Sequence, residues 1–117
     1  MWDILNKQSA VLTPREDRLW EAIRINPEKW QQHPYGDHCG GFWVVGLIGR
    51  RVIWFNNMER GFNISSYRAY GQINEYRGNW DSLDDVMKTL LNYLEHGYGV
   101  PSGFGAPQPG EYSGKKS

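Results

Sequence analysis

The side chains best suited to chemistry crowd one short stretch, where His33, Asp37, His38 and Cys39 stand beside Gly40-Gly41. All four can ligate a divalent cation, and the paired glycines would let the backbone wrap an ion. The chain would then be a small metal-dependent hydrolase. Zinc chemistry asks for more than ligand types, however. Structural sites draw on two well-spaced ligand pairs, and catalytic sites take three ligands from rigid elements. Neighbouring His38 and Cys39 would also point apart, which disfavours a Cys/His nucleophilic pair. The favoured reading is a polar loop.

A second group, Asp81, Asp84 and Asp85 with Glu75 farther off, has the makings of paired carboxylates. Three of these acids open a helical pattern, where negative charge is favoured by the helix dipole by about 0.3–1 kcal/mol without any catalytic role. An acidic face meeting a basic partner is the functional alternative. A third group sets Arg50, Arg51, Arg60, Arg68 and Arg77 among Tyr67, Tyr70 and Tyr76. Arginine interleaved with rings suits single-stranded nucleic acid, whose bases stack on aromatics. Gly97-Tyr98-Gly99 has no strand-to-helix turn after it and so is no dinucleotide fingerprint. With no catalytic set and no phosphate loop, the chain is expected to be a non-enzyme that needs no cofactor.

The totals narrow the field. Thirteen basic and thirteen acidic residues in 117 cancel, whereas gripping a phosphate backbone takes clustered Lys and Arg, so nucleic acid is disfavoured as a partner. The length suits one hydrophobic core. A single cysteine excludes an internal disulfide. The opening Met1-Trp2-Asp3-Ile4 lacks the charged and apolar regions of a secretory signal, and the longest apolar run, Phe42 to Ile48, is too short to span a bilayer. A cytoplasmic protein with no membrane attachment is expected. Aromatic residues make up 15% of the chain, more flat amphipathic area than so small a core requires and of the kind that interfaces favour.

The elements that must position these groups are legible in part. Thr13-Pro14-Arg15-Glu16 reads as a capping box with proline at the first helical position, so a helix should start at Pro14 and bury Leu19, Trp20 and Ile23. Asn26-Pro27-Glu28 repeats that signal and predicts a short helix through Trp30 to Gln32. Phe42 to Ile48 and Val52 to Asn57, joined by Gly49 and an arginine, predict an antiparallel hairpin. Phe62 to Tyr67 and Tyr70 to Arg77 predict two further strands, the last an exposed edge. After Asp81 and Ser82, residues Leu83, Val86, Met87, Leu90, Leu91 and Leu94 keep helical spacing up to a terminator at Gly97. The fold class is therefore α+β: an N-terminal helical segment, a three- to four-stranded antiparallel meander and a C-terminal helix packed on the sheet. Residues 1–97 form the domain, and the Gly- and Pro-rich residues 98–117 a mobile tail.

Between the strands, Asn56-Asn57-Met58-Glu59-Arg60-Gly61-Phe62-Asn63-Ile64-Ser65-Ser66-Tyr67 interleaves polar groups with large rings, as a scaffold displaying contact groups would. The build over residues 13–96, centred on Trp43 to Tyr76, resembles bacterial immunity proteins of contact-dependent and related polymorphic toxin systems. That resemblance implies a cytosolic antidote that binds one cognate toxin domain, often a nuclease, and occludes its active site. The expected function is thus non-catalytic binding of one protein partner. Glu59, Phe62, Tyr67, Tyr70, Tyr76, Asp84 and Asp85 are the residues expected to make the contact.

Overall fold

The computed structural model describes residues 1–37 and 40–96. Their elements follow the order α1 (Trp2–Ser9), α2 (Pro14–Ile23), β1 (Arg24–Trp30), β2 (Phe42–Ile48), β3 (Arg51–Asn56), β4 (Gly61–Ser66) and α3 (Leu83–His96). The strands form one antiparallel sheet in the order β1-β2-β3-β4, so the expected α+β meander with helices at both ends is present. The anticipated tail and the terminator Gly97 lie outside the described residues.

The capping box forms as its residue types dictate. Glu16 N donates to Thr13 Oγ1 at 3.2 Å and Thr13 N donates to Glu16 Oε1 at 3.0 Å, an arrangement worth about 1 kcal/mol. Glu16 is itself buried, and Lys88 Nζ stands 3.2 Å from its other oxygen, tying α2 to α3. The helix ends at Ile23 and the chain passes straight into β1.

Here the structure departs from the sequence reading. Asn26-Pro27-Glu28 starts no helix; it lies inside β1. β1 is an edge strand whose register to β2 shifts between Arg24 and Glu28, and proline is tolerated where no ladder bond is asked of its nitrogen. Burial of Trp30 at the strand's end outweighs the local helix signal. The β2–β3 hairpin turns at Gly49, whose φ of 59° suits glycine. A second register shift in β2, between Val44 and Gly46, brings Gly46 under Trp20, where an added Cβ would sit 3.5 Å from that ring.

Side chains alternate across the sheet. One face sends Val45, Ile53, Phe55, Phe62 and Ile64 into a core with Trp20, Leu83, Val86, Met87 and Leu90 of the helices. The other sends Val44, Val52 and Trp54 into a second core with Trp30, Phe42 and Ile73. Among the described residues no helix covers that second face. Residues 67–81 cross it as an irregular strap in place of the expected edge strand Tyr70 to Arg77. Gln31 N donates to Gly71 O and Ile73 N to Gln31 O at the β1 side, while Asn74 N donates to Ser66 O at β4. A segment that spans the sheet between its two outer strands cannot run alongside either as a ladder.

Candidate interaction surface

Polar side chains of β3 and β4 fasten the strap. Asn56, fully buried, accepts from Met58 N and Glu59 N on its Oδ1 and so shapes the β3–β4 turn, while its Nδ2 donates to Arg77 O at 2.9 Å. Asn63 donates to Asn79 O at 3.0 Å and accepts from Asn79 N at 2.9 Å. Trp54 Nε1 donates to Ser65 Oγ at 3.0 Å, and that hydroxyl donates onward to Glu75 O at 2.8 Å. Glu75 in turn accepts from the amide and the hydroxyl of Ser66. Asn56, Asn63, Ser65 and Ser66 of the expected display segment are therefore bonded within the protein, whereas Asn57, Glu59 and Arg60 are exposed. Buried polar groups must be paired, and here the strap supplies the partners.

The structure distributes the seven expected contact residues over different places. Phe62 is removed from the surface altogether: its exposure is 0%, and it packs edge-on against Phe55 at 5.2 Å in the helix-side core. The sequence reading missed this because Phe62 looks outward-bound only if the polar residues around it are exposed. Tyr67, half-buried, meets Trp30 at 5.1 Å and donates to Gly49 O. Tyr70, 63% exposed, donates to Glu28 Oε1 at 2.7 Å, an oxygen that also accepts from Trp30 Nε1. These two donors, Tyr70 first, hold the Glu28 carboxyl below the usual carboxylate range, and the carboxylate raises the Tyr70 hydroxyl in return.

Asp84 and Asp85 are occupied at the start of α3. Asp85 accepts from Ser82 N and Asp84 pairs with Lys88 Nζ at 3.1 Å. The Ser82 hydroxyl, then Lys88, lowers the Asp84 carboxyl, whereas Asp81 is pushed up by burial and next by the Asp85 charge. The arginines do not form one rim. Arg50 donates to Arg68 O near the Gly49 hairpin, while Arg60 stands in the turn at the far end of β3, roughly 17–20 Å away by strand length. Of the four candidate metal ligands, His33 Nδ1 and Asp37 Oδ2 lie 2.9 Å apart, and His38 and Cys39 lie outside the described residues. Among the described residues no three potential ligands gather around a common point.

Glu59 and Tyr76 do come together, with residues the sequence reading did not select. Tyr76 stacks on Tyr35 at 4.0 Å, and its hydroxyl reaches Met58 Sδ at 3.9 Å. The Glu59 side chain lies against Gly78. Beyond it, the main chain of Trp80 presses on Gly61 so closely that no Cβ would fit there, and Asp81 O accepts from Phe62 N at 2.8 Å. Clamped by its backbone in this way, Trp80 leaves its indole 78% exposed, with Met58 and Tyr35 near half exposure. One end of the molecule thus presents Tyr35, Tyr76, Met58, Glu59 and Trp80. The sequence pointed to such a surface through its aromatic excess, the segment after Asn56 and the residues Glu59 and Tyr76, and it left out Tyr35 and Trp80.

No protein-family model matches the chain, and no curated protein or solved structure matches it. Among the described residues no helix is long and apolar enough to cross a membrane.

Proposed function

We propose that this chain is a non-catalytic module that binds one protein partner through the end bearing Trp80. The carrying observation is an indole left 78% exposed although its own backbone is locked into the fold. Large exposed apolar groups gathered at one place mark interaction sites, and Trp and Tyr dominate the energetics of interface centres. Within that class, the general build supports an immunity protein that occludes the active site of a cognate toxin domain. Glu59 and Tyr76 remain in the proposed contact set, joined by Tyr35, Met58 and Trp80.

The test begins with the purified chain as bait in a lysate of its native host. A stoichiometric protein is expected, toxic when its bound domain is expressed alone and harmless when co-expressed with this chain. Trp80→Ala should abolish both capture and protection. A harmless partner would overturn the immunity reading, and recovery of no stoichiometric protein would overturn the binding reading as well. Metal analysis of the same preparation addresses the hydrolase alternative: stoichiometric zinc that disappears in His38→Ala would displace the binding-only view.

A further inference from the structure

The arginines differ in how their charge is met. Arg15 and Arg24 pair with Glu95 and Glu21, and Arg50 donates to a carbonyl. Arg18, Arg60 and Arg68 are exposed, so water solvates them. Arg77 fits neither group. It is half-buried, and its Nε is shut off from solvent with no acceptor in hydrogen-bond reach. Among the described residues no carboxylate pairs with it. A buried donor without an acceptor destabilises a fold, and a charged one does so most.

Resting on the binding reading above, we infer that Arg77 is the anchor for a carboxylate of the protein partner, met when its side chain leaves the position it holds in the free chain. Placement is the first support. Asn56 Nδ2 holds Arg77 O at 2.9 Å, so the root of the side chain is fixed. Its two neighbours in sequence belong to the exposed end: Tyr76 stacks on Tyr35, and Glu59 lies against Gly78. A long side chain rooted between them reaches the same surface.

Energetics is the second. The orphaned Nε disfavours the inward position, whereas a partner carboxylate can accept two parallel bonds from the planar guanidinium. Binding thus supplies the acceptor that folding does not. Charge selects the occupant. A phosphate backbone is gripped by several clustered cations, but Arg50 and Arg68 lie near the Gly49 hairpin, at the other end of the strands. Arg60 and Arg77 share their own end with Glu59, which repels a run of phosphates. Charges of both signs side by side suit a protein surface carrying the opposite pattern, which fixes register and rejects wrong partners.

The first test needs no partner. Arg77→Met keeps an unbranched side chain and removes the orphaned donor, so its denaturation midpoint should equal or exceed that of wild type. A lowered midpoint would show that the guanidinium is satisfied in the free chain and would overturn the anchor. The second test uses the captured partner. Arg77→Met should raise the dissociation constant by about tenfold or more, and Arg77→Lys should recover only part of the loss, because an ammonium lacks the planar fork. In the isotopically labelled chain the Arg77 Hε resonance should move downfield on complex formation, as it gains a charged acceptor. Arg77→Glu should bind the partner better once one partner acid is changed to Lys. Stability held or raised while affinity falls is a signature that a purely structural residue does not give. A partner that binds Arg77→Met as tightly as wild type refutes the anchor and leaves the binding reading intact. Salt-sensitive retention of a single-stranded oligonucleotide by wild type, lost in Arg77→Met, would assign the guanidinium to phosphate and refute the carboxylate. Capture of no protein refutes both readings.

Discussion

On the helix side of the sheet, Phe55, Phe62 and Ile64 meet Trp20, Met87 and Leu90, apolar surface against apolar surface. On the strap side, Trp54 and Val52 are covered by a segment with no regular structure of its own, fixed in place by Asn56, Asn63, Ser65 and Ser66. Apolar contact is strong but has no direction, so it can hold a helix whose shape is already set by its own hydrogen bonds. A strap must have its path specified bond by bond. Carboxamides suit that task because each offers donors and an acceptor to a main chain that would otherwise be left unpaired. The exposed surface grows from the second arrangement: with Ile73 and the Glu75 carboxylate anchored on the sheet and the main chain at Arg77 and Asn79 held by Asn56 and Asn63, the strap can carry Trp80 outward.

Several substitutions would break or sharpen that contrast. Trp20→Ala strikes the apolar side and should cost about 3–5 kcal/mol, lowering the denaturation midpoint of the whole domain in one cooperative transition. Asn56→Ala strikes the latch. It strands Arg77 O and two turn amides, at about 1–3 kcal/mol for a lost buried partner, and hydrogen exchange should accelerate in residues 57–60 and 67–81 well before it does in α3. Equal loss of protection in strap and helices would show that the two sides are not separable. Trp80→Ala should leave the midpoint within about 0.5 kcal/mol of wild type, as surface changes do, while abolishing capture of the partner.

The smallest effect tests electrostatics where strap gives way to helix. Asp81 is raised by burial and then by Asp85, so its ionised form is disfavoured in the folded chain. A carboxyl whose folded value lies above its unfolded one subtracts stability at neutral pH and ceases to do so as pH falls through the folded value. Asp81→Asn should therefore be slightly more stable than wild type near neutrality, with the gain vanishing in acid. A gain that persists in acid would point to a cause other than charge.

Much of this was legible in the residues. The Thr13–Glu16 box, the hairpin around Gly49 and the spacing from Leu83 to Leu90 each carry their instruction within a few positions, and each element forms where that instruction lies. Pro27 shows the limit: its helix-start context is local, whereas the burial of Trp30 that pulls the segment into the sheet depends on strands that come later. The strap failed for a related reason. Alternation between Tyr70 and Tyr76 fits a half-exposed strand, but a single buried residue, Ile73, and backbone bonds to Gln31 and Ser66 are what hold it. Asn56, Asn63 and Ser65 misled in the same way, because polarity in a sequence does not say whether the partner is water or a carbonyl. The surface at Trp80 was least legible, since nothing local distinguishes an exposed indole from the buried ones at Trp20, Trp30 and Trp54.

The contact between Gly61 and the main chain of Trp80 has a consequence for how such a molecule can diversify. At position 80 the fold constrains only the atoms that all residues share, and the constraint on chemistry falls on the glycine opposite. Drift at position 80 would then alter which partner is recognised while leaving the folded state nearly untouched, and drift at position 61 would do the reverse. Recognition and foldability are written at two neighbouring sites, and each can change without the other.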